Sequence, residues 1–519
     1  MELSSLIFFT LILAVVPIWA LKKLNTLWLR PKRLEKLLRA QGLQGDPYKL
    51  PSIKNLKQLY MLKIQEEAKS KSIGLSNASD VAPHVFLPTH HTVNKYGKKS
   101  FLWEGTTPEV VITEPEQVKE VFSKIQDFPK PKSSPLIKLL RIGLASYEGE
   151  KWAKHRKIIN PFFHSEKLKG MLPSFFQSYK DMVSKWEEML SSDGRMEIDV
   201  WPSLQNLTCD IISRIAFGST YEEGTKIFEL LKKEADIVIA TRHRHNTSWF
   251  ILTATNRKIK KLERELQDAV GRIVKKRREA MKNGEGTEDD LLGILLESNN
   301  NEHQGNENNK AVVITDQEVV NECKHIYLAG QETTSTLLVW TMILLGKYPE
   351  WQTRAREEVL QVFGDRDPDF DGLSRLKIVT MILNEVLRLY SPAIYFKRDV
   401  RKDVKLGTLQ LPAGVQVSLP ILLIHQDHDL WGDDAKEFRP ERFSEGISKA
   451  AKGQVPFFAF SYGPRNCIGQ NFAMLEAKMI FSLLLRNFSF ELSPAYVHLP
   501  TTMLTLQPKH GAHIILQKL

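Results

Sequence analysis

One cysteine, Cys467, lies in a glycine-rich segment, residues 460–469, that also carries an arginine. Gly463 permits backbone conformations that a side chain would block, which suits a tight loop. Arg465 places a permanent positive charge two residues from the sulfur. An apolar, helix-like run over residues 471–485 follows, so Cys467 should lie near a helix N-terminus, which favours the anionic form of a thiol. The segment therefore predicts a loop that holds a thiolate against a metal.

A second segment of chemical interest lies inside a long predicted helix. This helix should begin at Thr315, which forms a capping box with an acid three residues later, and should end before Pro349. In its middle, residues 329–334 combine small side chains with an acid and hydroxyls, although Gly330 alone costs a helix about 1 kcal/mol relative to alanine. One interpretation is a helix that packs closely against a neighbour and bends where Thr333 bonds back to a carbonyl. The other interpretation is a catalytic segment.

Both segments resemble motifs of the cytochromes P450. The haem-binding loop of that family has the pattern Phe-x-x-Gly-x-Arg-x-Cys-x-Gly, and every fixed position is matched, by Phe460, Gly463, Arg465, Cys467 and Gly469. The oxygen-activation motif, (Ala/Gly)-Gly-x-(Asp/Glu)-Thr, is matched by residues 329–333. Two more family elements occur in family order. They are Trp-x-x-x-Arg at Trp152 and Arg156, and Glu-x-x-Arg with a later Pro-Glu-Arg-Phe, which supply Glu385, Arg388 and Arg442.

The resemblance implies the cytochrome P450 fold, mainly α with small β-sheets, and haem b as the cofactor. It makes Cys467 the axial ligand of the haem iron. It also implies that Phe460, Gly463 and Gly469 of the loop contact the cofactor. The expected partners of the haem propionates are Trp152, Arg156, Arg398 and Arg465.

The same resemblance assigns roles on the other side of the cofactor. Gly330 would leave room for dioxygen, Thr333 would hydrogen-bond the dioxygen or an ordered water, and Glu332 would help to feed protons. Glu385, Arg388 and Arg442 would form a buried network that supports the haem loop and takes no part in the chemistry.

Composition excludes several other classes of protein. The three cysteines among 519 residues are too scattered for a disulfide framework or a zinc cluster, and they favour a reducing compartment. The net charge of +11 is not attached to any nucleic-acid-binding module, so no nucleic-acid partner is expected. Short strands are predicted over residues 109–113, 404–410 and 415–420, and helical periodicity dominates elsewhere.

The N-terminal end predicts a membrane anchor. Residues 3–21 are uncharged and mostly apolar, and as a helix they would span roughly 28 Å, about the hydrocarbon thickness of a bilayer. Lys22 and Lys23 follow this run, whereas a cleaved signal peptide, the alternative, needs positive charge before it. We therefore expect an uncleaved, single-pass signal-anchor over residues 1–30. The haem-binding monooxygenase domain, residues 31–519, would then lie on the cytosolic face of the endoplasmic reticulum membrane.

The resemblance further implies a monooxygenase that inserts one atom of O2 into a C–H bond of a hydrophobic small molecule. Its electrons would come from NADPH through a membrane-bound NADPH–cytochrome P450 reductase. Residues 30–35, 216–224 and 469–472 are similar to the plant microsomal clan that holds secologanin synthase and the triterpenoid-saponin oxidases. An oleanane-type triterpenoid of saponin biosynthesis is the first expected substrate, and an iridoid or a gibberellin-type hormone is the second.

Two other classes stay open on the sequence. The first is a thiolate-haem isomerase or dehydratase that needs no reductase, and such relatives lack the glycine-to-threonine motif that is intact here at Gly330 and Thr333. The second is a non-catalytic, membrane-anchored haem-binding protein, which oxygen-dependent consumption of NADPH with formation of a product would exclude.

Overall fold

The computed structural model describes residues 15–50, 81–132, 142–241, 254–285, 289–303, 314–451 and 456–519. Helices dominate these ranges, and the strands form small sheets, so the predicted mainly α architecture with small β-sheets is confirmed. The chain divides into two compact units. Among the described residues, the first unit contains 15–50, 82–131 and 395–424, and the second contains the others.

The described helices and strands are numbered here in chain order. The helices are α1 (Arg30–Arg39), α2 (Ala82–Val85), α3 (Leu87–Tyr96), α4 (Pro115–Ser123), α5 (Gly149–Ile159), α6 (Ser165–Glu187), α7 (Val200–Phe217), α8 (Tyr221–Thr241), α9 (Ala254–Lys282), α10 (Leu291–His303), α11 (Asp316–Lys347), α12 (Pro349–Phe363), α13 (Phe370–Arg375), α14 (Ile378–Leu389), α15 (Ile421–His425), α16 (His428–Trp431) and α17 (Gln470–Asn487). The strands are β1 (Phe101–Glu104), β2 (Thr107–Val111), β3 (Arg195–Asp199), β4 (Phe396–Asp399), β5 (Val404–Leu406), β6 (Leu409–Leu411), β7 (Gln416–Leu419), β8 (Phe488–Leu492), β9 (Pro500–Thr502), β10 (Leu506–Pro508) and β11 (His513–Lys518).

The first unit is built on a four-stranded sheet in the order β1-β2-β7-β4. The central pair, β2 and β7, is parallel, with Val110 opposite Val417, and both of these side chains are fully buried. The strands predicted over residues 109–113 and 415–420 correspond to β2 and β7. The strand predicted over residues 404–410 is instead a hairpin of β5 and β6, because Gly407 (φ 57°) turns the chain in the left-handed region that glycine adopts readily.

The second unit is organised around α11, which is 32 residues long and almost entirely buried along its C-terminal half. The predicted capping box is present, since the side chains of Thr315 and Glu318 each bond the backbone N–H of the other. Pro349 both follows the end of α11 and opens the next helix, α12, because the missing N–H of proline is harmless in a first helical turn. Strands β3, β11 and β8 form an antiparallel sheet, and β9 pairs with β10.

The predicted membrane anchor falls only partly on the described chain. Residues 3–14 lie outside the described ranges, whereas residues 15–24 are helical and lead through a π-helical turn into α1. Val15, Ile18, Trp19 and Leu21 are all more than half exposed on this helix. Among the helices of the described ranges, none combines the length and apolar character that a transmembrane span requires.

Candidate active site

The backbone around Cys467 forms a closed loop in front of α17. The N–H of Cys467 donates to the carbonyl of Phe460 at 2.9 Å, and the N–H of Asn466 donates to the carbonyl of Gly463 at 3.1 Å. Gly463 (φ 70°) and Ser461 (φ 64°) both adopt the left-handed region, which a non-glycine residue rarely occupies. The loop therefore holds a strained backbone conformation, a feature that is concentrated at functional sites.

The Cys467 side chain is exposed, three residues before the first residue of α17. Nevertheless, enough protein surrounds the sulfur for burial to raise the pKa of its thiol, against the lowering effects of the Gly469 backbone N–H and the Arg156 charge. The Cys467 thiol is thus open to solvent although many protein atoms surround it, as expected for a side chain that faces a concave surface. A bound metal cation would reverse the effect of burial, because a coordinating thiol loses its proton to the metal.

Arg156 of α5 binds the residue immediately before the cysteine. Its Nη1 donates to the backbone carbonyl of Asn466 at 2.8 Å, and its Nη2 donates to Asn466 Oδ1 at 3.1 Å. The remaining donor, Nε, lies 2.9 Å from Asn160 Oδ1. This two-point contact fixes the loop against α5, as the planar fork of an arginine allows.

Arg465, on the other side of Asn466, is also held by the α5 region. Its guanidinium lies 4.5 Å from the ring centre of Trp152, its Nη1 donates to the Tyr147 carbonyl at 2.9 Å, and its Nη2 lies 3.0 Å from Glu148 Oε2. The structure thus brings Trp152 and Arg156 against Arg465 and Asn466, the two residues that precede Cys467.

Arg398, the remaining predicted propionate partner, belongs to β4 of the first unit. Its side chain is largely buried, its guanidinium lies between 5 and 6 Å from the ring centres of Phe122 and Phe396, and its Nη1 donates to the Lys397 carbonyl.

The predicted oxygen-activation segment lies midway along α11. Thr333 alone is exposed among residues 318–347, all of which the structure describes. Its hydroxyl donates to the Ala329 carbonyl at 2.7 Å, as the packing interpretation predicts. A Cβ on Gly330 would lie 2.9 Å from Ile212 Cδ1 of α7, so this glycine permits a close approach of two helices. A role for Gly330 in leaving room for dioxygen stays a prediction.

Glu332 is buried and bonds a distant part of the chain. Its Oε1 accepts hydrogen bonds from Thr505 Oγ1, at 2.8 Å, and from Gln507 Nε2. Both partners belong to the segment that contains β9 and β10. Burial raises the pKa of Glu332, opposed by these two hydrogen bonds, so the environment favours a neutral carboxyl more than water does.

The three residues predicted to form a buried network do meet. Arg388 donates through Nε and Nη2 to the two carboxylate oxygens of Glu385, each at 2.7 Å, and both side chains are fully buried. Arg442 Nε lies 3.4 Å from Glu385 Oε1, and its Nη2 lies 2.7 Å from Asp434.

His425 links this network to the loop that leads to Cys467, a role that no sequence signal pointed to. Its Nε2 accepts the backbone N–H of Phe458 at 2.9 Å, so Nδ1 carries the ring proton and donates to the Arg388 carbonyl at 3.1 Å. Burial and the Arg388 charge lower the pKa of His425 to about 3, which keeps the imidazole neutral. The carbonyl of Phe458 in turn accepts the N–H of Ser461 in the loop.

Comparison with known proteins decides the family. The sequence model of the cytochrome P450 family matches residues 79–515. This chain belongs to the cytochrome P450 family. Membership makes it a monooxygenase with haem-thiolate chemistry, electrons supplied by a reductase and a hydrophobic substrate.

Several plant members of the cytochrome P450 family are similar to it over nearly their whole length. A protein named 11-oxo-beta-amyrin 30-oxidase, from Glycyrrhiza uralensis, is 65% identical over 511 residues, which are 98% of this chain and 97% of that protein. A protein of the same name from Medicago truncatula is also 65% identical, over 512 residues with the same coverage. Cytochrome P450 72A15 from Arabidopsis thaliana is 50% identical over 523 residues, the full length of both chains.

The residues around Cys467 in this cytochrome P450 fit a haem. Cys467 would give a metal one protein ligand, so the other ligands would have to come from a cofactor. The porphyrin nitrogens of haem would be such ligands. Cys467 is the exposed cysteine of the loop, whereas Cys209 and Cys323 are buried and have strongly raised pKa values. A reactive or ligating thiol needs access, which only Cys467 has among the three.

Proposed function

We propose that this cytochrome P450 oxidises an oleanane-type triterpenoid, inserting one oxygen atom from O2 into a C–H bond. The first candidate substrate is 11-oxo-beta-amyrin, and the first candidate position is its carbon 30. The observation that carries the proposal is the 65% identity, over 98% of the chain, to two proteins named for that oxidation. Haem b would be the cofactor, and NADPH would supply electrons through a cytochrome P450 reductase.

Cys467 would bind the haem iron as a thiolate. When bound, the haem supplies the oxygen-inserting chemistry, and the protein decides which carbon meets it. Arg156 and Arg465 hold the backbone before Cys467 against α5, so the sulfur would be positioned by a fixed loop. His425 would support the same loop from the side of the buried Glu385 network.

Thr333 and Glu332 would handle protons. A hydroxyl has one proton, and that of Thr333 is donated to the Ala329 carbonyl, so in this arrangement its oxygen can accept a hydrogen bond from a proton donor. To donate to dioxygen or to water, Thr333 must release that carbonyl. Burial raises the pKa of Glu332, so its carboxyl holds a proton more readily than it would in water and could supply one that the reaction consumes.

The pocket would be apolar. The turn between β9 and β10 presents Met503 and Leu504, which are 38% and 36% exposed. Exposed apolar side chains on a turn of a folded domain suit contact with a bulky hydrophobic molecule.

The N-terminal segment, residues 1–30, would anchor residues 31–519 to the cytosolic face of the endoplasmic reticulum membrane. The exposed apolar side chains of residues 15–21 and the lysines Lys22 and Lys23 that follow them support this orientation.

The test is expression in yeast with and without a plant cytochrome P450 reductase, with 11-oxo-beta-amyrin and other oleananes supplied. We expect a product heavier by one oxygen atom, or by further oxidation steps at the same carbon, that requires the reductase and NADPH. Conversion without the reductase would instead indicate an isomerase or dehydratase. Turnover of gibberellins or iridoids but of no triterpenoid would overturn the proposed substrate.

A further inference from the structure

The segment that contains β9 and β10 docks on α11 through three successive turns of the helix. Glu332, Thr336 and Trp340 are spaced four residues apart and therefore share one helix face. Trp340 Nε1 donates to the Leu506 carbonyl at 2.7 Å, Thr336 Oγ1 lies 2.9 Å from Thr505 Oγ1, and Thr505 Oγ1 donates to Glu332 Oε1 at 2.8 Å. The hairpin is thereby tied to the acid that precedes Thr333.

The immediate hydrogen-bond partners of the Glu332 carboxyl are neutral. Thr505 and Gln507 both donate to the same oxygen, Oε1, which fixes the orientation of the group and leaves Oε2 as the oxygen that can carry a proton. The charges that act on it through space are one of each sign, Lys232 and Asp236 of α8. Orientation, more than charge, is therefore what the hairpin supplies.

The same hairpin presents its apolar turn outward. Met503 and Leu504 immediately precede Thr505, so a displacement of the turn by a bulky substrate would move the hydroxyl that holds Glu332.

We propose that Thr505 and Gln507 are positioning residues for Glu332, and that substrate contact at Met503 and Leu504 is transmitted through them to this carboxyl. The inference rests on the proposed role of Glu332 in proton delivery. Substrate fit and proton delivery would then depend on one hairpin. With a poorly fitting substrate, the enzyme would consume NADPH but form less product per NADPH.

The experiment compares product formed per NADPH consumed in Thr505→Val, Thr505→Ser, Glu332→Gln and the double variant Thr505→Val with Glu332→Gln. Valine keeps the shape of threonine and removes the donor, whereas serine keeps the donor. We expect Thr505→Val to lower the ratio severalfold, Thr505→Ser to restore it, and Thr505→Val to add nothing once Glu332 is replaced, as a double-mutant cycle requires of residues that act through one another.

A matched control uses the same chemical change on α11 itself. The hydroxyl of the buried Thr341 donates to the Leu337 carbonyl within the same helix, at 2.7 Å, so Thr341→Val should leave the ratio unchanged. The reduced, carbon-monoxide-bound Soret band checks that each variant holds its cofactor.

A second readout does not depend on turnover. Hydrogen exchange of the peptide covering residues 500–508, followed by mass spectrometry, should become faster in Thr505→Val and in Glu332→Gln, and should be slowed by a bound substrate in the wild-type protein. Unchanged exchange in both variants would overturn the proposed coupling.

The outcomes separate the inference from the role on which it rests. If Glu332→Gln keeps the wild-type ratio, Glu332 has no role in proton delivery and the inference fails with it. If Glu332→Gln lowers the ratio but Thr505→Val does not, or if Thr505→Val lowers it equally in both backgrounds, only the positioning role is overturned.

Discussion

Glu385 and Glu332 are two buried glutamates of the same unit with opposite surroundings. The carboxylate of Glu385 accepts hydrogen bonds from the guanidiniums of Arg388 and Arg442 and from the backbone N–H of Arg439. Glu332 accepts from one hydroxyl and one amide, and burial raises its pKa. A carboxylate bound by guanidiniums is fixed in an ion-pair network, whereas one held by neutral donors, with its pKa raised by burial, holds a proton more readily than it would in water. The comparison separates a structural acid from one that is suited to catalysis.

The largest expected effect comes from removing the charge of Glu385 within its ion-pair network. Glu385→Gln leaves Arg388 fully buried beside an uncharged partner, and removing one member of a buried ion pair costs about 3–5 kcal/mol. We expect a large loss of thermal stability and of haem-containing protein, measured by unfolding midpoint and by absorbance. Arg354→Gln, which breaks a surface pair with Glu441, is the control and should have little effect. Equal behaviour of the two variants would contradict the structural role of Glu385.

The two glutamates also differ in how far the sequence could predict their hydrogen-bond partners. Glu385 and Arg388 are three residues apart on one helix face, and Thr333 reaches Ala329 within one turn, so local spacing revealed both. The same holds for the capping box that opens α11.

Long-range partners could not be found in this way. Thr505 lies 173 residues from Glu332, and Asn466 lies 310 residues from Arg156. Neither contact leaves a periodic signal in the sequence, because only the packing of α11 and α5 against distant segments creates it. The family motifs located the residues, and the structure supplied their partners.

A second prediction concerns Gly330, two residues before Glu332. In Gly330→Ala the new Cβ would lie 2.9 Å from Ile212, and overpacking of this kind costs about 1–3 kcal/mol. If the glycine serves helix packing, adding Ile212→Val should restore both the unfolding midpoint and the activity. Restored stability without restored activity would show that Gly330 also leaves room for dioxygen.

A third glutamate sharpens the contrast through pH. Glu234 of α8 is fully buried beside Glu263 of α9, whose carboxylate binds Lys324 of α11 at 2.8 and 2.9 Å. Burial, reinforced by the Glu263 charge, raises the pKa of Glu234 to about 8.

Since the folded protein binds this proton more tightly than the unfolded chain does, the stability contributed by protonated Glu234 is lost as pH rises from the ordinary glutamate range to about 8. Glu234→Gln should flatten that decline relative to the wild-type protein when unfolding midpoints are compared across this range. Parallel pH profiles for the two proteins would mean that Glu234 does not titrate in the fold.

The most direct test of the account is the ligand itself. The reduced, carbon-monoxide-bound Soret band of the purified full-length protein reports a thiolate bound to haem iron, and Cys467→Ser should abolish that thiolate signature while Cys209→Ser and Cys323→Ser keep it. A wild-type band in Cys467→Ser would contradict the assignment of Cys467, and with it the site described around the loop.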